Sequence, residues 1–154
     1  MLIFVDMMII REFKPDDLKR VYEIENMSFD QSYGINMFKG LYDMGTGFLV
    51  AEIDCYVIGY IIFWIKHENQ GHIISLAVDK NYRRLKAGTR LLSKAIQILM
   101  LFDIANIYLE VNENNCGAYE FYKGFNFKVD RVVPNYYDGG DGAIIMYLPI
   151  IRSY

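Results

Sequence analysis

The chain has 154 residues, 53% of them hydrophobic, and carries 16 basic and 19 acidic side chains for a formal net charge of −3. That length supports one domain with a single substantial core, and the negative balance argues against the globally basic surface that nucleic-acid binding usually requires. Two cysteines, Cys55 and Cys116, stand far apart in no C-x-x-C spacing, so neither a disulfide framework nor a zinc cluster is indicated, and a reducing, cytoplasmic setting is expected.

The opening MLIFVDMMII is apolar but contains Asp6, lacks a basic leader and stops at Arg11. It is expected to be neither a signal peptide nor a membrane span, with Met7 or Met8 as alternative starts. Residues 8–13 read as a strand. Pro15-Asp16-Asp17 then supplies a helix start with acidic residues at the positive end of the dipole, and the helix runs to about Met27 with Leu18, Val21, Tyr22 and Glu25 near one face. A second helical stretch covers about 32–44, interrupted by Gly34.

From Gly47 the pattern changes to strands: GFLVAEI, YVIGYIIFWIK and HIISLAV, joined by the turns Asp54-Cys55 and HENQG. Three strands with short turns form an antiparallel meander. The run at 56–65 is about half the roughly 20 apolar residues needed to cross a membrane, and it reads as a buried strand. His67 and His72 are five apart across a glycine, one too many for H-E-x-x-H, so no metal site is expected.

After Val78 comes a basic turn, YRRLKAG, and then a helix over 87–101 in which Leu91, Leu92, Ala95, Ile96 and Leu99 form one stripe. NIYLEV at 106–111 is a strand, 115–122 a short helix, and 127–133 with 143–148 a closing strand pair across a Tyr- and Gly-rich loop. The step from HIISLAV over the helix to NIYLEV is a βαβ crossover, so those two strands should be parallel. Ligands of such sheets sit at the carboxyl ends of the strands, which brings the end of LAV, the basic turn and LEVNENN together.

At the start of the 87–101 helix, N–H groups without helical partners and a positive dipole end favour a phosphate. Arg83, Arg84 and Lys86 add cations, and Gly88 permits close approach. The turn alone fits an ordinary solvated helix start better than a phosphate site, since it is neither G-x-x-x-x-G-K-[ST] nor G-x-G-x-x-G. Glu110 in the neighbouring strand and Tyr122 twelve positions later offer an acid–base pair, a carboxylate to accept a proton and a phenol to donate one to a leaving thiolate. Asn115 at the helix start can cap the helix or grip an amide-rich ligand.

The segments G-H-I-I-S-L-A-V-x4-Y-R-R at 71–84, I-Y-L-E-V at 107–111, N-x6-Y at 115–122, N-Y-Y at 135–137 and A-I-I-M-x-L-P-I at 143–150 resemble the GNAT superfamily of acetyl-CoA-dependent N-acetyltransferases. Within it they resemble the ribosomal-protein alanine N-acetyltransferases and the archaeal N-terminal acetyltransferases. The resemblance is close over 71–150, about half the chain, and implies a single domain over 1–154. The implied fold is a mixed, centrally splayed sheet of about seven strands flanked by about four helices.

The resemblance further implies that the pantetheine arm of acetyl-CoA pairs with backbone at Leu76, Ala77 and Val78. The pyrophosphate would rest on N–H groups of Arg84, Leu85, Lys86, Ala87, Gly88 and Thr89 beside Arg83, with Asn115 a further cofactor contact. Glu110 would be the general base and Tyr122 the general acid in direct attack on the thioester by the α-amino group of a protein N-terminus. The implied partner is an acceptor protein or peptide, a ribosomal protein and ribosome association included, with no nucleic acid or membrane. His72 matches a histidine linked to proton handling in archaeal relatives, or is a strand-terminal residue without a role. Tyr136 and Tyr137 match a pair bordering the acceptor groove, or pack a loop. Phe29 and Tyr33 are candidates for the opposite wall.

Two departures fall on the acceptor side. Phe29-Asp30-Gln31-Ser32-Tyr33 replaces a Pro-Glu-Asn-like loop, and Asp141-Gly142-Ala143 replaces Glu-Asp-Ala, so the acceptor does not follow from the resemblance. A small-amine acetyltransferase, or a coenzyme A-binding module without turnover, are the competing readings. In the basic turn, Lys86 stands where the family pattern R-x-x-G-x-G/A has its first glycine, which costs roughly 1–2 kcal/mol if the position is left-handed and nothing if it is right-handed.

Overall fold

Alternation of buried and half-exposed residues along residues 70–78 and 106–112 fits strands with one covered face. In the computed structural model, which describes residues 7–29, 34–67 and 69–152, the strands are β1 (Ile9–Glu12), β2 (Gly47–Ile53), β3 (Tyr56–Lys66), β4 (Gln70–Val78), β5 (Asn106–Asn112), β6 (Lys128–Val133) and β7 (Ala143–Pro149). The helices are α1 (Leu18–Ser28), α2 (Ile35–Asp43), α3 (Ala87–Leu99) and α4 (Cys116–Gly124). The seven strands form one sheet in the order β1-β2-β3-β4-β5-β7-β6.

The chain divides into two compact units, Met1–Trp64 with Ile74–Leu101 and Ile65–Ile73 with Phe102–Tyr154. In the first, β1 pairs antiparallel with β2 and β2 with β3. The α1 stripe delivers Val21 and Ile24 into an aromatic core with Phe13, Phe38, Phe48 and Tyr60, where Phe13 stacks on Phe48 with centroids 4.0 Å apart. Pro15–Asp17 is a 3-10 turn, in which Asp17 accepts from the Lys14 N–H and two Arg11 nitrogens. Gly34 is the N-cap of α2, so the predicted interruption is the start of that helix.

In the second unit, β4 pairs parallel with β5 over Gln70–His72, as the crossover rule requires. The last strand, β7, pairs antiparallel with both β5 and β6. It thus enters between two strands that precede it in sequence. Ile107, Leu109 and Val111 are buried together with Ile145 and Met146. The anticipated second groove residue, Tyr33, lies outside the described residues.

Candidate active site

The carboxyl end of β4 leads into a short and unusually constrained turn. Leu76 and Val78 are half-buried, and Ala77 between them is buried. Asp79 then caps a 3-10 turn over Lys80–Tyr82, its carboxylate accepting the Asn81 N–H at 2.8 Å. Arg83 is extended, Arg84 has φ 69°, and Lys86, the N-cap of α3, has φ 64° and ψ 26°. Both Arg84 and Lys86 are therefore left-handed, which answers the question at Lys86 and adds a second strained residue that the sequence did not flag.

The Arg90 N–H donates to the Lys86 carbonyl at 3.0 Å, the first helical bond of α3. The N–H groups of Ala87, Gly88 and Thr89 precede it, and the Lys86 side chain does not cap them. Arg83, Arg84 and Lys86 are exposed, while Ala87 is buried and anchors the helix start. Two left-handed positions separated by Leu85, three leading N–H groups and exposed cations make a donor-rich surface that suits a diphosphate.

The second unit holds the titratable groups. In the parallel pair, His72 lies opposite Tyr108, and Glu110, two residues on, shares the Tyr108 face. The His72 Nε2 lies 2.8 and 3.1 Å from the two Glu110 carboxylate oxygens. With Glu110 ionised, Nε2–H is the donor of this contact; Nδ1 is buried with no hydrogen-bond partner among the described residues. His72, whose role the sequence left open, is thus the direct partner of Glu110.

Burial, and then the negative charge of Glu110, push the Tyr136 phenol above its ordinary value, so Tyr136 belongs to the Glu110 neighbourhood. Its ring meets Tyr137 edge-on at 5.0 Å. The loop bearing both is pinned by Asn112 and Glu113, which the sequence reading did not single out, and by Asp141 and Gly142 of the altered acceptor-side segment. Glu113 accepts the Gly142 N–H at 2.8 Å and donates its own N–H to the Gly142 carbonyl at 2.9 Å. Asn112 donates to Asp141 at 3.1 Å, and the Asp141 carbonyl accepts the Tyr137 N–H at 3.0 Å. A Cβ at 142 would stand 3.0 Å from the Val133 carbonyl oxygen and 2.9 Å from a Glu113 oxygen, so glycine fits this close approach.

Tyr122, on α4, is 8% exposed and packs edge-on against Phe127 at 5.7 Å. Burial pushes its phenol well above the ordinary range. Asn115 is the N-cap of α4, its carboxamide oxygen accepting the Ala118 N–H at 3.1 Å. Phe29 is the C-cap of α1 and packs, half-buried, against the first unit's aromatic core. Among the described residues no cluster of three or more His, Cys, Asp and Glu could hold a metal, and no helix is long and apolar enough to cross a membrane.

The first unit thus carries a donor-rich turn after β4, and the second a carboxylate–imidazole pair on β4 and β5. The chain belongs to the acetyltransferase (GNAT) family, whose model matches residues 16–127. It is 43% identical over 143 residues, 90% of each chain, to an uncharacterized N-acetyltransferase of Methanocaldococcus jannaschii. It is 30% identical over 154 aligned residues, 92% of each chain, to an N-alpha-acetyltransferase of Sulfurisphaera tokodaii. The crystal structure of the ribosomal-protein-S18-alanine N-acetyltransferase from Escherichia coli superposes with a TM-score of 0.86 at 26% identity, covering 96% of this chain and 97% of that one. The protein is an acetyl-CoA-dependent N-acetyltransferase.

Proposed function

We propose that the protein transfers acetyl from acetyl-CoA to the α-amino group of a protein N-terminus, a ribosomal protein being one acceptor that fits. The chain acts as one acetyltransferase domain, a reading supported by a family match that includes parts of both compact units. The observation that carries the mechanism is the contact of His72 Nε2 with both oxygens of Glu110. An α-amine has a pKa near 8 and is mostly protonated at neutral pH, so a base must take a proton before or as it attacks. Glu110 is that base, and His72 holds its carboxylate in one orientation.

Tyr122 is the donor toward the departing sulfur. Its buried phenol keeps its proton throughout the working pH range. Against a thiol of pKa about 8.5, transfer from a phenol at or above 10 is uphill by at least about 2 kcal/mol. Tyr122 therefore acts first as a hydrogen-bond donor and gives up the proton only as the thiolate leaves. The turn from Arg83 to Thr89 holds the pyrophosphate through its N–H groups. Backbone at Leu76, Ala77 and Val78 pairs with the pantetheine arm, and Asn115 is a further cofactor contact. Tyr136 and Tyr137 flank the acceptor amine, with Phe29 and Tyr33 as further contacts to its first side chain.

Purified protein, acetyl-CoA and a panel of short peptides and small amines test this reading. Acetylation of peptide α-amines at least tenfold faster than of polyamines or aminoglycosides is expected. Turnover confined to small amines, or coenzyme A binding without turnover, overturns it.

A further inference from the structure

The most heavily paired charge buried near the strand end is not on the turn itself. Asp79, the residue that follows β4, is 2% exposed. Its N–H donates to the Ile58 carbonyl at 2.7 Å, one carboxylate oxygen accepts the Asn81 N–H at 2.8 Å, and the other pairs with Nη2 of Arg20. Arg20 comes from α1, 59 positions away. Its Nε donates to the Val57 carbonyl at 2.8 Å, its guanidinium carbon lies 4.2 Å from the Tyr56 ring centroid, and Nη1 reaches Glu23 at 3.4 Å. The Tyr56 ring in turn meets that of Tyr82, inside the turn, at 5.9 Å. Arg20 therefore grips both the residue just after β4 and, through Tyr56, the 3-10 turn that follows.

Burying an ion pair forfeits the hydration of both ions, and an apolar pair of similar volume often does as well for stability. Such a pair contributes geometry more than energy. The geometry needed here is costly. Between Asp79 and buried Ala87 the chain passes through seven residues, two of them non-glycine and left-handed, a conformation in which the Cβ crowds the following carbonyl oxygen. Those conformations persist only when both ends are held. Ala87 holds the exit; the Arg20–Asp79 pair holds the entry.

We infer that Arg20, acting through Asp79, is a positioning residue for the 80–86 turn and thereby sets the affinity for the diphosphate-bearing acyl donor. Its charge is spent on Asp79, so it acts through the shape of the turn rather than by touching phosphate. The inference rests on the reading that this turn grips the pyrophosphate of acetyl-CoA.

The test uses the full chain with Asp79→Asn, Arg20→Lys and the double variant Arg20→Met/Asp79→Asn. The double variant leaves no unpaired buried charge and keeps the test alive where a single variant fails to fold. Coenzyme A affinity is measured by calorimetry, and amide exchange of residues 80–86 in the free protein. Asp79→Asn and the double variant should weaken coenzyme A roughly tenfold and speed exchange of the turn, while amides of α3 from Arg90 onward keep their protection. Arg20→Lys, which keeps the charge, should lose less. Steady-state kinetics should show a raised acetyl-CoA KM with kcat within twofold. A folded double variant with unchanged exchange and affinity overturns the inference, as does faster exchange with unchanged affinity. Wild-type protein that binds no coenzyme A overturns the acetyl-CoA reading and this inference with it, an outcome read from the unmutated chain alone.

Discussion

Lys86→Gly removes a left-handed lysine at the N-cap of α3. With φ 64° and ψ 26°, the wild-type residue is disfavoured by about 1–2 kcal/mol relative to glycine in the same conformation. Glycine returns part of that gain, roughly 0.4–1 kcal/mol, through the greater freedom of its unfolded chain. The side chain makes no capping bond to lose, and glycine is an acceptable N-cap. The net expectation is a gain of about 0.5–1 kcal/mol, a rise in melting temperature of about 1–4 °C for a chain of this size. Acetyl-CoA affinity tests the second half of the argument. The exposed ammonium acts as a screened point charge, so affinity should fall, if at all, only at low ionic strength and be preserved or improved at high salt. Lys86→Ala is the control: it keeps the conformational cost and loses the charge. A lower melting temperature for Lys86→Gly, or a large affinity loss at both salt concentrations, refutes the reasoning.

Other consequences follow from the same geometry. Burial raises the Asp17 carboxyl, but Arg11 and the Lys14 N–H outweigh it and hold the folded value below the ordinary carboxylate range. The resulting stability is complete above about pH 4, where the unfolded carboxyl titrates, and is lost as pH falls through the folded value; Asp17→Asn should lower the melting temperature at pH 7 and flatten its acid slope. Gly142→Ala forces a Cβ toward the Val133 carbonyl and Glu113, and should cost roughly 1–3 kcal/mol in denaturant melts while raising acceptor KM more than acetyl-CoA KM. Tyr122→Phe should lower kcat at least tenfold with acetyl-CoA affinity within twofold; an unchanged kcat removes Tyr122 from the proton path.

What could be read from the sequence was what is encoded locally. GFLVAEI and YVIGYIIFWIK carry β-branched and aromatic runs closed by turn residues, and β2 and β3 begin and end where those runs do. The parallel pairing of β4 with β5 followed from the crossover rule. That rule is silent on where the last strand goes, so the entry of β7 between β5 and β6 was not legible. Glu110 and Tyr122 were visible as a pattern, but the His72 contact depends on a register in which His72 faces Tyr108. The left-handed Arg84 escaped notice, and the conformation at Lys86 was left open, because side chains that favour this conformation, glycine and asparagine, are absent there. Arg20–Asp79 and the buried Glu25–Tyr60–Ser75 group join residues 15 to 59 positions apart. No spacing rule reaches that far.

The central claim is that Glu110 removes the proton from the attacking amine. Glu110→Gln preserves size and the ability to accept from His72 but removes the basic oxygen. With acetyl-CoA and a free-amine peptide that the wild-type protein acetylates, turnover at saturating substrate should fall about 100-fold or more, while the acetyl-CoA dissociation constant stays within twofold. Unaltered turnover in a folded Glu110→Gln protein would contradict the account.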